Sequence, residues 1–171
     1  MKVLIIYATR GGASRECAQI LHDRICSSFD VSVFDIENSP PSPDGYDVAV
    51  IGGSIRMTKI NKKLKKYLAE NAEMLNKIQT AIFLCCGFPE NFEDYVALQI
   101  PKSVIPTLGM HCFGGELKPQ KLKGIDKIIV KMLREDIKGA DFEASFSDKS
   151  PLPEIVPENI YRLADKIRKL L

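Results

Sequence analysis

Short apolar runs recur along the chain, each followed by a stretch whose apolar residues repeat every three or four positions. The runs are Val3–Ile6, Val48–Ile51, Ala81–Leu84 and, more weakly, Leu108–Phe113. They are continuous rather than alternating, which is the pattern of strands covered on both faces in a parallel sheet. Val31–Phe34 alternates instead and reads as an edge strand. The intervening stretches predict helices. Cys17, Ile20, Leu21 and Ile25 share one helical face; Ile60, Leu64, Tyr67 and Leu68 share another, with Lys62, Lys63, Lys65 and Lys66 outside it. Asn91–Gln99 reads as a weaker helix. Pro157 marks the start of a terminal helix whose inward stripe is Ile160, Leu163, Ala164, Ile167 and Leu170.

Strands alternating with helices in this way predict a doubly wound α/β fold with a five-stranded parallel sheet. The stretch "ENSPPSPDG" (Glu37–Gly45) reads as a surface loop where a crossover helix would normally lie, because its prolines suit neither a ladder nor a helix interior. Residues Glu116 to Pro153 exceed a minimal five-stranded fold. They carry a further helical pattern, Leu122, Ile125, Ile128, Ile129, Met132 and Leu133, and read as an insert before the last helix. No composition break divides the chain, so one domain over residues 1–171 is expected.

Composition narrows the function. A hydrophobic fraction of 45% over 171 residues is enough for a substantial core. Lys and Arg number 24 against 22 Asp and Glu, and a net charge of +2 is too small for a nucleic-acid binder. No apolar run is long enough for a membrane span, and the start lacks a signal-peptide pattern, so a cytoplasmic location is expected. The five cysteines have neither metal-like spacing nor a C-x-x-C pair, and read as small buried thiols, with a redox role for vicinal Cys85–Cys86 as the lesser reading. His22 reads as a surface residue and His111 as structural. Neither has a nucleophile partner, so hydrolytic chemistry and metal ligation are not indicated.

The turn "YATRGGASREC" (Tyr7–Cys17) joins the first strand to the first helix. It has no Lys-Ser/Thr pair of a nucleotide P-loop and no three spaced glycines of a dinucleotide fingerprint. It offers hydroxyls at Thr9 and Ser14, small residues between them, and a helix start whose N–H groups suit a terminal phosphate. A monophosphate held mainly by neutral donors points to a mononucleotide such as FMN. Two further loops follow the third and fourth strands, "GGSIRMTK" (Gly52–Lys59) and "CCGFPENF" (Cys85–Phe92). Each combines glycine, which lets backbone approach a ring edge, with side chains able to flank a flat heterocycle. In an open α/β sheet such loops meet at the carboxyl ends of the strands.

With these three loops the chain resembles the flavodoxin-like family, and within it the menaquinone-dependent protoporphyrinogen oxidase branch. The resemblance rests on "ATRGGASRE" (Ala8–Glu16), "VIGGSIRMTKINKKLKKYL" (Val50–Leu68) and "FGGELKPQKLKGIDKIIVKMLR" (Phe113–Arg134), taken in order. It implies strand order 2-1-3-4-5 and bound FMN. Thr9, Arg10, Gly11, Gly12, Ala13 and Ser14 would hold the phosphate. Ser54, Ile55, Arg56 and Met57, with Cys86, Gly87 and Phe88, would border the isoalloxazine. The chain has no Trp, so Ile55, Arg56 or Met57 takes the place of a stacking indole.

Arg56 and Lys59 bring positive charge to the ring loop and Arg10 brings it to the phosphate, which favours an anionic reduced flavin and gives Arg56 an electrostatic role. The leading expectation is an FMN-dependent oxidoreductase working on a quinone or a porphyrinogen-like small molecule. A soluble electron carrier serving a redox protein is the first alternative; a non-redox binding module is the second. The basic face of the inserted helix, Lys121–Arg134, either packs its apolar side on the domain or touches a membrane surface. The oligomeric state is left open by the sequence.

Overall fold

The computed structural model describes residues 1–56, 58–87, 89–115 and 154–171. The helical pattern expected over Leu122–Leu133, its basic face Lys121–Arg134, and the site residues Met57 and Phe88 lie outside the described residues.

Five strands form one parallel sheet: β1 (Lys2–Ala8), β2 (Asp30–Asp35), β3 (Val48–Ser54), β4 (Gln79–Cys85) and β5 (Gly109–Cys112). Their order is β2-β1-β3-β4-β5, the expected flavodoxin-like arrangement, with β2 at one edge. β1 is flanked on both sides, Ile5 pairing with Val33 and with Val50. Five helices are described: α1 (Ala13–Ile25), α2 (Lys62–Glu70), α3 (Ala72–Leu75), α4 (Phe92–Gln99) and α5 (Pro157–Arg168). The weak run expected as Leu108–Phe113 contributes a strand of only four residues, while Leu108 and Phe113 are buried at its two ends.

Successive strand residues point to opposite faces, so each run feeds two cores. Val3, Ile5, Val50 and Phe83 pack with Leu21 of α1 and Leu163 of α5. Leu4, Ile6, Ile51 and Leu84 pack on the other face with Leu64 of α2 and Tyr95 of α4. Removing such side chains from water contributes about 1.5–3 kcal/mol each, which explains the unbroken apolar runs.

The missing crossover helix between β2 and β3 is a real feature. A 3-10 turn, Ile36–Asn38, and a proline-bearing loop make the connection. The loop is tied to α2 by Tyr67, whose hydroxyl donates to the Pro41 carbonyl at 2.7 Å. Pro157 stands in the first turn of α5, as its sequence position predicts.

The glycines of "GGSIRMTK" differ from the expectation. Gly52, Gly53 and Ser54 belong to β3, not to the loop after it. A Cβ on Gly52 would lie 2.2 Å from the Phe83 carbonyl oxygen and 2.4 Å from its ring. Gly52 therefore makes room for Phe83, which stacks on Phe113 with ring centroids 4.8 Å apart. Gly53 gives α2 its close approach, since an added Cβ would sit 3.0 Å from Leu64. Both glycines are required by packing within the protein.

Gly52→Ala is expected to cost about 1–3 kcal/mol in urea unfolding, because neither the Phe83 backbone nor its stacked ring can retreat cheaply. Gly11→Ala is the control. An added Cβ there meets nothing within 4 Å, and its change should stay within about 0.5 kcal/mol.

Candidate functional site at the carboxyl ends of the strands

Because all five strands run parallel, the turns leaving β1, β3 and β4 open at the same end of the sheet. The first is Thr9–Gly12. Thr9 Oγ1 accepts from the Gly12 N–H at 2.9 Å, folding the turn back on itself. Gly12 stands at the N-cap of α1 with φ 101°, a left-handed conformation that glycine adopts without a Cβ penalty. Having no side chain, it leaves the first amides of α1 without a side-chain cap. The start of α2 is closed instead, since Asn61 Oδ1 accepts from the N–H of Lys63 at 2.8 Å and of Leu64 at 3.4 Å.

Two polar residues among those described are buried, Ser14 and Thr80. Thr80 donates to the Leu75 carbonyl at 2.6 Å. Ser14 has no exposed surface, and its Oγ has no hydrogen-bond partner. An orphaned hydroxyl beside uncapped helix amides fits a ligand that brings acceptor oxygens, and a phosphate is the simplest such group. Ala13 is buried beside it, while Arg10 and Gly11 are exposed.

The surrounding charges lie on neighbouring turns. Glu37, just after β2, accepts from the Lys63 ammonium and, at 3.3 Å, from Asn61 Nδ2. The Lys63 hydrogen bond, then the Asn61 amide and the positive charges of Lys63 and Arg10, hold the Glu37 carboxyl below its ordinary range. Sequence reasoning missed this cluster, whose members come from separate parts of the chain.

In the second turn Ile55 N–H donates to the Cys85 carbonyl at 2.9 Å, locking the β3 exit to that of β4. Arg56 and Lys59 pair across a tight reverse turn, with N–H to carbonyl distances of 2.9 and 3.0 Å. Thr58 takes φ 62° there, a strained setting for a β-branched residue that costs about 1–3 kcal/mol. Ser54, Ile55 and Arg56 are half-buried at this rim.

The third turn begins at Cys86 and Gly87. Gly87 is half-buried, but the Cys86 side chain is 1% exposed and packs into the α2–α4 core. Its sulfur is therefore enclosed in that core. The cause is alternation: Cys85 points to one core and Cys86 to the other. The backbone of Cys86–Gly87 is also packed against Gly115, where an added Cβ would lie 2.7 Å from the Cys86 carbonyl carbon. Beyond it, Gly114 bridges Ile155, so residues 113–115 and 154–156 run side by side. His111 donates from Nε2 to the Leu108 carbonyl at 3.0 Å, a structural role, and burial lowers its pKa.

The model of the flavodoxin domain matches residues 4–144. The chain belongs to that family. A flavodoxin from Streptococcus pneumoniae aligns over 100% of both chains with TM-score 0.59 at 13% identity. A Fusobacterium nucleatum flavodoxin mutant bound to flavin mononucleotide aligns over 99% of this chain and 96% of its own, with TM-score 0.50 at 10% identity. At these identities the likeness shows the fold. In sequence, the chain is 29% identical over 85 residues to the protoporphyrinogen IX dehydrogenase [quinone] of Escherichia coli strain K12, covering 48% of this chain and 47% of the relative. The matched stretch thus spans about half the length of that curated relative. No described helix is long and apolar enough to cross a membrane.

Ser14→Ala removes a hydroxyl that the ligand-free fold leaves unpaired. The ligand-free variant should therefore gain about 1 kcal/mol in urea unfolding. A loss of similar size would mean that the hydroxyl has a partner inside the protein.

Proposed function

We propose that the protein is an FMN-dependent oxidoreductase, passing electrons between a porphyrinogen-like small molecule and a quinone. The observation that carries the reading is the buried, unpartnered Ser14 hydroxyl at the uncapped start of α1. The phosphate would be held by Thr9, Arg10, Gly11, Gly12, Ala13 and Ser14. The ring would be bordered by Ser54, Ile55, Arg56 and Met57, the Cys86 backbone, Gly87 and Phe88. FMN would supply the redox chemistry itself, exchanging one or two electrons.

The protein's part is to bind, orient and bias. Amides at the start of α1 and the Ser14 hydroxyl would donate to phosphate oxygens, and Arg10 would add a positive charge. The Ile55–Cys85 hydrogen bond holds the two ring turns at a set spacing. Arg56 and Lys59, paired across their turn, set positive charge at the ring edge, which favours the extra negative charge of a reduced cofactor. No side-chain nucleophile is needed. The sequence similarity to the Escherichia coli dehydrogenase supports the quinone-linked reading, and family membership alone supports a flavodoxin-type electron carrier equally well.

FMN and riboflavin titrations followed by fluorescence test the anchor. Ser14→Ala should weaken FMN about ten- to hundredfold, the worth of one hydrogen bond to a charged group, and leave riboflavin unchanged. Equal losses for both ligands would remove the phosphate from this turn. Turnover of protoporphyrinogen with menadione by the FMN-loaded protein is the expected activity. Tight FMN without turnover, together with fast single-electron exchange with a redox protein, would assign the carrier role. Failure to take up FMN would assign a non-redox module.

A further inference from the structure

Four of the five cysteines meet as two pairs, one on each side of the sheet. Cys17 and Cys85 lie 3.6 Å apart, sulfur to sulfur, and both are buried in the α1–α5 core. Cys86 and Cys112 lie 3.3 Å apart on the other side. Cys86 is buried there, while Cys112 is partly exposed at the end of β5. Cys112 also borders an open cavity of about 300 Å³, together with His111, Arg162 and Lys166.

We propose that Cys86 and Cys112 form a peroxide-responsive dithiol, closing to an intrachain disulfide that ties the end of β4 to the end of β5. The contact distance is the first support. Bringing the sulfurs to the bonded length of about 2.05 Å moves each by about 0.6 Å. The second is the division of roles between the two thiols. The two thiols share a hydrogen bond that either can donate. This contact and a hydrogen bond from the Gly114 N–H, set against burial and the nearby Glu90, lower the Cys112 pKa to about 7. The Cys86 thiol, hydrogen-bonded to Cys112 and buried, is pushed up. The third is access, since a reactive thiolate needs partial exposure, and Cys112 is partly exposed at the open cavity. The Cys17–Cys85 pair lacks the second and third of these and remains a packing contact.

The chemistry balances with hydrogen peroxide as the oxidant. The Cys112 thiolate attacks one peroxide oxygen; the O–O bond breaks, hydroxide leaves and takes up a proton as water, and Cys112 becomes a sulfenic acid. The Cys86 sulfur then attacks the Cys112 sulfur. The S–S bond forms, the S–O bond breaks, and the departing hydroxide takes the Cys86 proton as a second water. Two thiols lose two electrons, and one peroxide becomes two waters. Closure would draw Cys86, the first residue of the third turn, towards β5. Exchange with an external thiol would reopen it.

The test uses the full chain without ligand, so that it stands apart from FMN binding. Cys26→Ser removes the exposed thiol, and equimolar hydrogen peroxide is followed by alkylation, digestion and mass spectrometry. A crosslinked Cys86–Cys112 peptide is expected. A lowered pKa raises the thiolate fraction at neutral pH, so Cys112 should react faster than an ordinary exposed thiol. Cys86→Ser should stop at a sulfenic acid on Cys112, trapped by dimedone, whereas Cys112→Ser should leave Cys86 reduced. Circular dichroism of each variant verifies folding, and Cys86→Ala and Cys112→Ala replace any serine variant that fails. Crosslinking of Cys17 to Cys85, or a Cys112 that stays reduced and takes no dimedone, overturns the proposal.

Discussion

A hydroxyl buried without a partner costs a folded protein about 1–3 kcal/mol, and this fold places one at the start of its first helix. Among the described residues, the other buried polar side chain and the start of α2 avoid that cost. Thr80 finds the Leu75 carbonyl, and α2 closes its own amides with Asn61. At α1 the opposite choice is made three times over. Gly12 caps without a side chain, Thr9 spends its oxygen on the turn, and Ser14 is sealed from water with nothing to bond. A set of donors left unmet in this way is complementary to an anion, and the helix dipole adds to the attraction.

The sheet makes that unmet set useful. Parallel strands deliver every exit turn to one end, and the place of β1 between β2 and β3 puts the Thr9–Gly12 turn beside theirs. The backbone bond from Ile55 to Cys85 then joins the second turn to the third. Strain at Thr58 and exposed charge at Lys59 stand above a core that is buried on both faces of the sheet. Stability and binding geometry are thus separated. The alternating strand residues hold the fold, and the turns above them are free to differ from what stability alone would select.

Much of this was legible in the sequence, for identifiable reasons. Continuous runs such as Val3–Ile6, short and rich in β-branched residues, fit strands covered twice, so the parallel sheet and its order followed from pattern and resemblance. The helix start at Gly12–Ser14 was readable because small residues follow an apolar strand there. Gly52 and Gly53 misled. A glycine signals close approach but not what approaches, and here the neighbours are Phe83 and Leu64. The Glu37–Lys63–Asn61 cluster was hidden because its members meet only once β2 and α2 are docked on β1, a contact with no local signature.

Cys86 shows how far a local reading can carry. Two adjacent cysteines suggest a vicinal pair, yet alternation along a strand sends neighbours to opposite faces, so Cys85 and Cys86 are the two residues least able to meet. Each instead faces a cysteine distant in sequence. Cys85 finds Cys17 of α1 in a closed core, and Cys86 finds Cys112 at the rim. What separates an inert pair from a reactive one is therefore not the cysteines but the face they share. On one side helices α1 and α5 cover the sulfurs; on the other, β5 is the edge strand, and a single residue step along the chain moves a thiol from the first setting to the second.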